Sequence, residues 1–351
     1  MTHKPNISVL GAGSFGTALA DVCSHLGHSV LMWSQRPEIA QSINARHENP
    51  KYFPDLTLHK NLRASTDYDE ACAFGDWIIV ALPSHALRKN LKLMDCSSPK
   101  PLILACKGLE KDSLYTMHEV ALDVLGPQWR SSVVALSGPS FARELLEKRP
   151  TALVVAGPNQ TLLDEISTSL FCPYFRLYTN PDIVGVEFGG ALKNVIAIGA
   201  GVVSGMGLGD NSRASLVTRG LSEITRLATA RGANPLTLGG LAGVGDLILT
   251  CTGKLSRNRY LGELLGEGLP AAEALSKIGQ VVEGVHTSHA AFDLATRLNV
   301  ETSVIRNVHE VISGGKSVND ALRELTKNPS GKELRPPLSE SLDPNSSGHL
   351  D

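Results

Sequence analysis

Ile7-Ser8-Val9-Leu10-Gly11-Ala12-Gly13-Ser14-Phe15-Gly16-Thr17-Ala18-Leu19-Ala20 is the stretch whose reading decides the fold. The run Ile7–Leu10 predicts a strand, a Gly-x-Gly-x-x-Gly turn follows at once, and a helical stretch follows the turn. A second strand, Val30-Leu31-Met32-Trp33, comes shortly after. On its own the glycine motif says little; between a strand and a helix it signals dinucleotide binding. Gly11 permits the tight turn, Gly13 lets the backbone approach a pyrophosphate, and Gly16 lets the helix pack close to the strand. The helix start at Ser14 and Phe15 then offers free N–H groups and positive potential to phosphates. A secretory leader would need an unbroken apolar run where these three glycines stand.

Further short apolar runs follow: 77–82, 102–106, 133–136 and 152–156. Nearly continuous apolar character is what strands covered on both faces require. Strands alternating with helical stretches predict a parallel, doubly wound sheet. The pattern changes at Asn180-Pro181, which reads as a helix N-cap followed by an N1 proline. Beyond it only helices are expected, at roughly 181–206, 211–231, 244–252, 256–266, 270–278, 284–298, 302–312 and 317–326. The expected organisation is α/β plus all-α: a Rossmann-type nucleotide-binding domain over 1–180, a helical substrate-binding domain over 181–330, and a disordered polar tail over 331–351.

The end of the second strand should read the adenosine ribose. An acid there would favour NAD. Instead the chain reads Ser34-Gln35-Arg36-Pro37-Glu38. A guanidinium can pair with a 2′-phosphate, so Arg36 favours NADP(H), with NAD(H) possible. Glu38, just after Pro37, fits the first turn of the next helix.

Ligands of open α/β sheets sit beyond the carboxyl ends of the strands. Lys107 falls there, as does Gly138-Pro139-Ser140-Phe141-Ala142. Lys193 lies among small and apolar residues on a helix that should be buried on most faces. A buried lysine is paired or functional. Burial and a neighbouring cation such as Lys107 would lower its pKa and make it a usable proton donor; a structural ion pair with Glu187 or another acid is the alternative. Asp246 stands in the apolar run 241–251 and needs a partner. Ser256, Arg257 and Asn258 open another helix, and a cation in a first turn suits an anionic ligand.

Composition narrows the classes. Of 351 residues, 42% are hydrophobic and 19% charged, so a packed core is expected rather than disorder. The net charge of −2 provides no global basic excess for nucleic acid. No continuous apolar run is long enough to suggest membrane insertion. Cys23, Cys72, Cys96, Cys106, Cys172 and Cys251 show no zinc spacing and read as reduced thiols; no metal is expected.

Taken together, GAGSFGTALA at 11–20, ACKGLE at 105–110, SGPSFARE at 137–144, EFGGALKNVIAIGAG at 187–201, GLAGVGDLILTCTGKLSRNR at 240–259 and VVEGVHT at 281–287 resemble the bacterial-type NAD(P)-dependent glycerol-3-phosphate dehydrogenase family. The resemblance implies reversible reduction of dihydroxyacetone phosphate to sn-glycerol 3-phosphate, which supplies phospholipid synthesis. It implies Lys193 as general acid/base, and Lys107, Gly138, Ser140, Lys193, Asp246, Ser256, Arg257 and Asn258 around the substrate. It implies Ser14, Phe15, Arg36, Lys107, Ala142, Arg257, Val281 and Glu283 around the cofactor, beside the motif glycines, and a cytoplasmic homodimer. Two other classes share the layout: a β-hydroxyacid dehydrogenase of the 6-phosphogluconate type, and an NADPH sensor without turnover. Turnover of dihydroxyacetone phosphate separates them from the first reading.

Overall fold

A computed structural model describes residues 4–95 and 98–327. The expected tail at 331–351 and Cys96 lie outside the described residues.

The strands are β1 (Ile7–Leu10), β2 (Val30–Trp33), β3 (Glu48–Asn49), β4 (Phe53–Thr57), β5 (Arg63–Ser65), β6 (Trp77–Val80), β7 (Leu102–Leu104), β8 (Val133–Ser137), β9 (Thr151–Ala156) and β10 (Phe175–Asn180). Between them run α1 (Ser14–His25), α2 (Pro37–Arg46), α3 (Tyr68–Phe74), α4 (Leu87–Leu91), α5 (Met117–Leu125), α6 (Ala142–Leu146) and α7 (Gln160–Ser169). The main sheet has the order β10-β9-β8-β7-β6-β1-β2-β5, and β3 and β4 form a separate hairpin. Strands β1, β2 and β6 are buried nearly throughout, as their unbroken apolar runs predict. Ile7, Val9, Met32 and Ile79 join one core layer, whereas Leu10, Leu31, Ile78 and Val80 join another. This is the alternation of side chains across a sheet covered on both faces.

Strand order reverses at β1, which pairs with β2 on one side and β6 on the other. The crevice beyond Leu10 and Val80 is therefore the topological switch point.

The sheet is not wholly parallel: β9 runs antiparallel to β8. The chain between them holds only the turn at Gly138 and the short α6, so it returns from the crevice end instead of recrossing the sheet. A last strand, β10, pairs parallel with β9 and was not expected from sequence. It ends at Asn180, so Asn180 is not the helix cap. Asp182 is the cap, its side chain accepting the Gly185 N–H, while Asn180 accepts the N–H of Asp182 at 2.8 Å.

The helical part comprises α8 (Ile183–Gly205), α9 (Gly209–Ala230), α10 (Pro235–Leu238), α11 (Asp246–Thr252), α12 (Arg257–Gly266), α13 (Ala271–Ile278), α14 (Glu283–Arg297), α15 (Ser303–Ile312) and α16 (Val318–Lys327). Only the one-turn α10 was not expected. A π-helical turn, Leu241–Gly245, leads into α11. Helix α8 is the axis of this part: every residue from Gly185 to Gly201 is buried. It is long and apolar enough to cross a membrane, but 89% of its apolar window lies inside the protein, so its composition answers to a core position.

Helices α8 and α12 meet through glycines. A Cβ on Gly262 would lie 1.9 Å from the Ile198 carbonyl oxygen, and one on Gly201 would lie 2.0 Å from that of Arg259. Gly205 and Gly266 repeat the contact one turn on, against Glu263 and Val202. Four missing side chains thus let two backbones touch. Glu223, buried on α9, accepts from Ser303 Oγ and from the N–H groups of Val304 and Ile305, capping α15 from another element.

Candidate active site

The glycine turn has the geometry its sequence implies. Gly11 has φ +119°, and a Cβ there would meet the Ala81 carbonyl at 2.6 Å. A Cβ on Gly16 would collide with the Gly11 carbonyl oxygen. Around Gly13 there is nothing within 4 Å of where a Cβ would stand, so its bare backbone faces open space. Gly13 is also the N-cap of α1 and supplies no side-chain bond to the helix N–H groups. An uncapped N-terminus with no acid in its first turn fits a pyrophosphate. Asn49, fully buried on β3, braces the turn from behind, donating to the Ala12 carbonyl (3.1 Å) and to Thr17 Oγ1 (2.8 Å).

Arg36 is the N-cap residue of α2, with Pro37 at N1 and Glu38 in the first turn. Its backbone is held by Ser34, whose hydroxyl donates to the Arg36 carbonyl and accepts its N–H. The Arg36 side chain is exposed and pairs with no carboxylate among the described residues. A free guanidinium at the end of β2 fits the adenosine side of a dinucleotide.

The lysines meet at the other side of the crevice. Gly189 and Gly190 let α8 lie flush against its surroundings: Cβ atoms there would sit 2.4 Å from the Ala242 carbonyl oxygen and 2.5 Å from Ser137 Oγ. One turn further along α8, Lys193 Nζ donates to Asp246 Oδ1 at 2.5 Å and to Thr250 Oγ1 at 2.9 Å. Lys107 Nζ donates to the other oxygen of Asp246 at 2.7 Å and to the Gly138 carbonyl at 3.2 Å. It also stands 5.8 Å from the centre of the Phe15 ring. One fully buried carboxylate therefore bridges two ammonium groups, and the cluster keeps an excess of positive charge. Burial is the main cause that pulls the Lys193 pKa down, to about 8; the charge of Lys107 adds to the fall and Asp246 opposes it.

Of the acids that could pair with Lys193, Asp246 does so, whereas Glu187 binds His118, at 2.9 Å to its N–H and 2.6 Å to Nδ1. Ser140 donates to the Gly138 carbonyl, and Gly138 takes φ +134° against Leu153. Ala142 opens α6. At the start of α12, Ser256 is an N-cap accepting the Arg259 N–H. Asn258 is buried, donates to Asn194 Oδ1 (2.9 Å) and accepts the Gly284 N–H (2.9 Å). Arg257 stays exposed and donates to the Val281 carbonyl at 2.8 Å. Glu283 accepts a hydrogen bond from Ser84 at 2.8 Å.

Sequence reasoning missed Asn49, Thr250, Asn194, His118 and Ser84. Only Thr250 carried a signal, four residues after Asp246 on one helical face. No group of three or more potential metal ligands occurs among the described residues.

Comparison with known proteins settles the lineage. Residues 6–163 match the family described as NAD-dependent glycerol-3-phosphate dehydrogenase N-terminus, and residues 182–323 match its C-terminus. The chain belongs to the NAD-dependent glycerol-3-phosphate dehydrogenase family. The glycerol-3-phosphate dehydrogenase [NAD(P)+] of Bacillus velezensis is 44% identical over 91% of this chain and 93% of its own length. That of Myxococcus xanthus is 42% identical over 93% and 98%. The crystal structure of glycerol-3-phosphate dehydrogenase from Coxiella burnetii superposes with a TM-score of 0.87 at 36% identity, covering 93% of this chain and 99% of that one. The chain is thus an NAD(P)-dependent oxidoreductase of this family, with a Rossmann-type sheet followed by a helical part.

Proposed function

We propose that this protein catalyses the reversible reduction of dihydroxyacetone phosphate to sn-glycerol 3-phosphate, using NADPH in preference to NADH. The observation that carries the reading is the cluster Lys107–Asp246–Lys193, set at the mouth of the crevice that the glycine turn opens. The turn at Gly11–Gly16 would hold the pyrophosphate and Arg36 the 2′-phosphate; the nicotinamide supplies the hydride to C2. Lys193 gives its proton to the oxygen at C2 as negative charge develops there, and Lys107 adds positive charge beside it. The bridging carboxylate of Asp246 holds both amines in place. Near neutral pH Lys193 carries the proton it must donate, and its lowered pKa makes the transfer easier than from an ordinary lysine.

Arg257 and the first turn of α12 would hold the substrate phosphate, so binding energy far from C2 fixes C2 in place. Asn258 supports this site by tying α12 to Asn194, beside Lys193. Val281 and Glu283 would line the cofactor. The family resemblance supports a cytoplasmic homodimer that supplies the glycerol backbone of phospholipids.

The test is oxidation of NADPH followed at its absorbance band, with dihydroxyacetone phosphate as the only acceptor. The expected result is turnover by the native chain and a loss of about 10²–10⁴-fold in kcat for Lys193→Ala, with cofactor binding intact. Native protein that binds NADPH but leaves dihydroxyacetone phosphate unreduced would overturn the reading.

A further inference from the structure

Three elements meet beside the crevice at Ser84, a residue that none of the sequence motifs includes. Ser84 opens the 3₁₀ turn Ser84–Ala86 that follows β6 and is only 4% exposed. Its hydroxyl donates to Oε2 of Glu283, the first residue of α14, across 199 positions of sequence. Gly108, next to Lys107, closes the joint: a Cβ there would sit 2.6 Å from Ser84 Oγ and 3.4 Å from Thr287 Oγ1. Ser84 is thus wedged between a backbone and a helix, and its hydroxyl has a fixed direction.

The joint stands on a particular half of the site. The adenosine end belongs to the β2 side, where Arg36 stands, so the loops after β6 and β7 face the nicotinamide end. Glu283 Oε1 has no hydrogen-bond partner among the described residues, whereas Oε2 is occupied by Ser84. An ionised carboxylate only accepts hydrogen bonds. The donor-only group at that end of the cofactor is the N–H₂ of the nicotinamide carboxamide.

We infer that Ser84 is a positioning residue for the cofactor: by holding Oε2 of Glu283 it turns Oε1 to receive the carboxamide N–H. This rests on Glu283 lining the cofactor site, as proposed above. The consequence is selectivity by chemistry and not by size. A cofactor whose carboxamide is replaced by an acetyl group keeps the ring and the carbonyl but has no N–H to offer.

The experiment compares binding of NADPH and of its reduced 3-acetylpyridine analogue by fluorescence titration, so it does not depend on turnover. Ser84→Ala should weaken NADPH about tenfold, the scale of one hydrogen bond to a charged group, and leave the analogue within about twofold of the native value. Placed on Glu283→Ala, which removes both carboxylate oxygens, Ser84→Ala should cause no further loss, because the two act through one contact. Equal weakening of both cofactors would show Ser84 to be merely structural, and unchanged NADPH binding would also overturn the inference. If Ser84→Ala does not fold, Gly108→Ala reads the same joint by pushing Ser84 aside, with the same selective loss expected. Native protein that binds NADPH without reducing dihydroxyacetone phosphate would defeat the proposed function and leave this comparison decisive.

Discussion

Lys193 shows what a single residue's surroundings do to its chemistry. Its amine is buried, shares a carboxylate with a second lysine, and titrates near 8. In the proposed mechanism the protonated form serves reduction and the neutral form serves oxidation. kcat/KM for dihydroxyacetone phosphate should therefore fall as pH rises through about 8, while that for glycerol 3-phosphate oxidation should rise over the same interval. Lys107→Ala removes a like charge, so both limbs should move to higher pH. Limbs that stay in place would mean that another group supplies the proton. Arg36 makes an independent prediction. It stands at the N-cap position of α2 with no acid partner among the described residues, and aspartate is itself a good N-cap, so Arg36→Asp should fold. It should shift the NADPH/NADH ratio of kcat/KM towards NADH; an unchanged ratio would remove Arg36 from 2′-phosphate recognition. The residues legible in the sequence were those whose type clashed with their setting: a lysine and an aspartate in apolar runs, an arginine in a first turn. Asn49, Ser84 and His118 act on partners distant in sequence, and nothing local to them marks that task.

At the scale of elements, the proposed substrate site depends on how two helices touch. The start of α12 reaches Asn194 because Gly201, Gly205, Gly262 and Gly266 let the helix backbones meet. Gly262→Ala would place a methyl group 1.9 Å from the Ile198 carbonyl oxygen. Alanine gains about 1 kcal/mol of helix propensity. Prying two packed helices apart costs typically 1–3 kcal/mol, so the net effect should be destabilising. The urea midpoint should fall, and KM for dihydroxyacetone phosphate should rise as the Asn258–Asn194 bond lengthens. A midpoint that rises, as propensity alone requires, would show that the crossing has slack. Helix positions were legible because apolar periodicity and caps are local signals. The direction of β9 and the existence of β10 were not. Parallel and antiparallel buried strands share one apolar pattern, and β10 (Phe175–Asn180) exposes half its side chains at a sheet edge. The shifted cap has a related cause: Asn180 and Asp182 are both good capping residues two positions apart, and strand pairing with β9 claims the first.

At the scale of the whole molecule, the lysine cluster works only if the helical part stays docked on the sheet. Besides Lys107–Asp246 and Ser84–Glu283, Arg231 with Glu119 and His118 with Glu187 also cross between them. The second has a pH dependence whose sign can be worked out. Burial pulls the His118 pKa down, but the charge and hydrogen bond of Glu187 outweigh it, and the result lies above the ordinary 6.5. A histidine whose folded pKa is raised contributes stability that is fully present below its unfolded value. That contribution is lost as pH climbs through the folded one. The pair is nearly buried, so solvent does little to screen it. His118→Gln keeps the backbone N–H to Glu187 and removes the charge. The native chain should thus be more stable than the variant near pH 6, with the gap narrowing as pH rises through the raised value. Subtracting the two unfolding curves isolates this one group from the many others that titrate. Because Glu187 sits on α8 only six residues before Lys193, the loss should also reach catalysis. The variant should lose kcat more than it loses affinity for NADPH, since the glycine turn lies on the sheet and is untouched. A stability gap that is constant with pH would show that the pair stays in one charge state and does not titrate with folding.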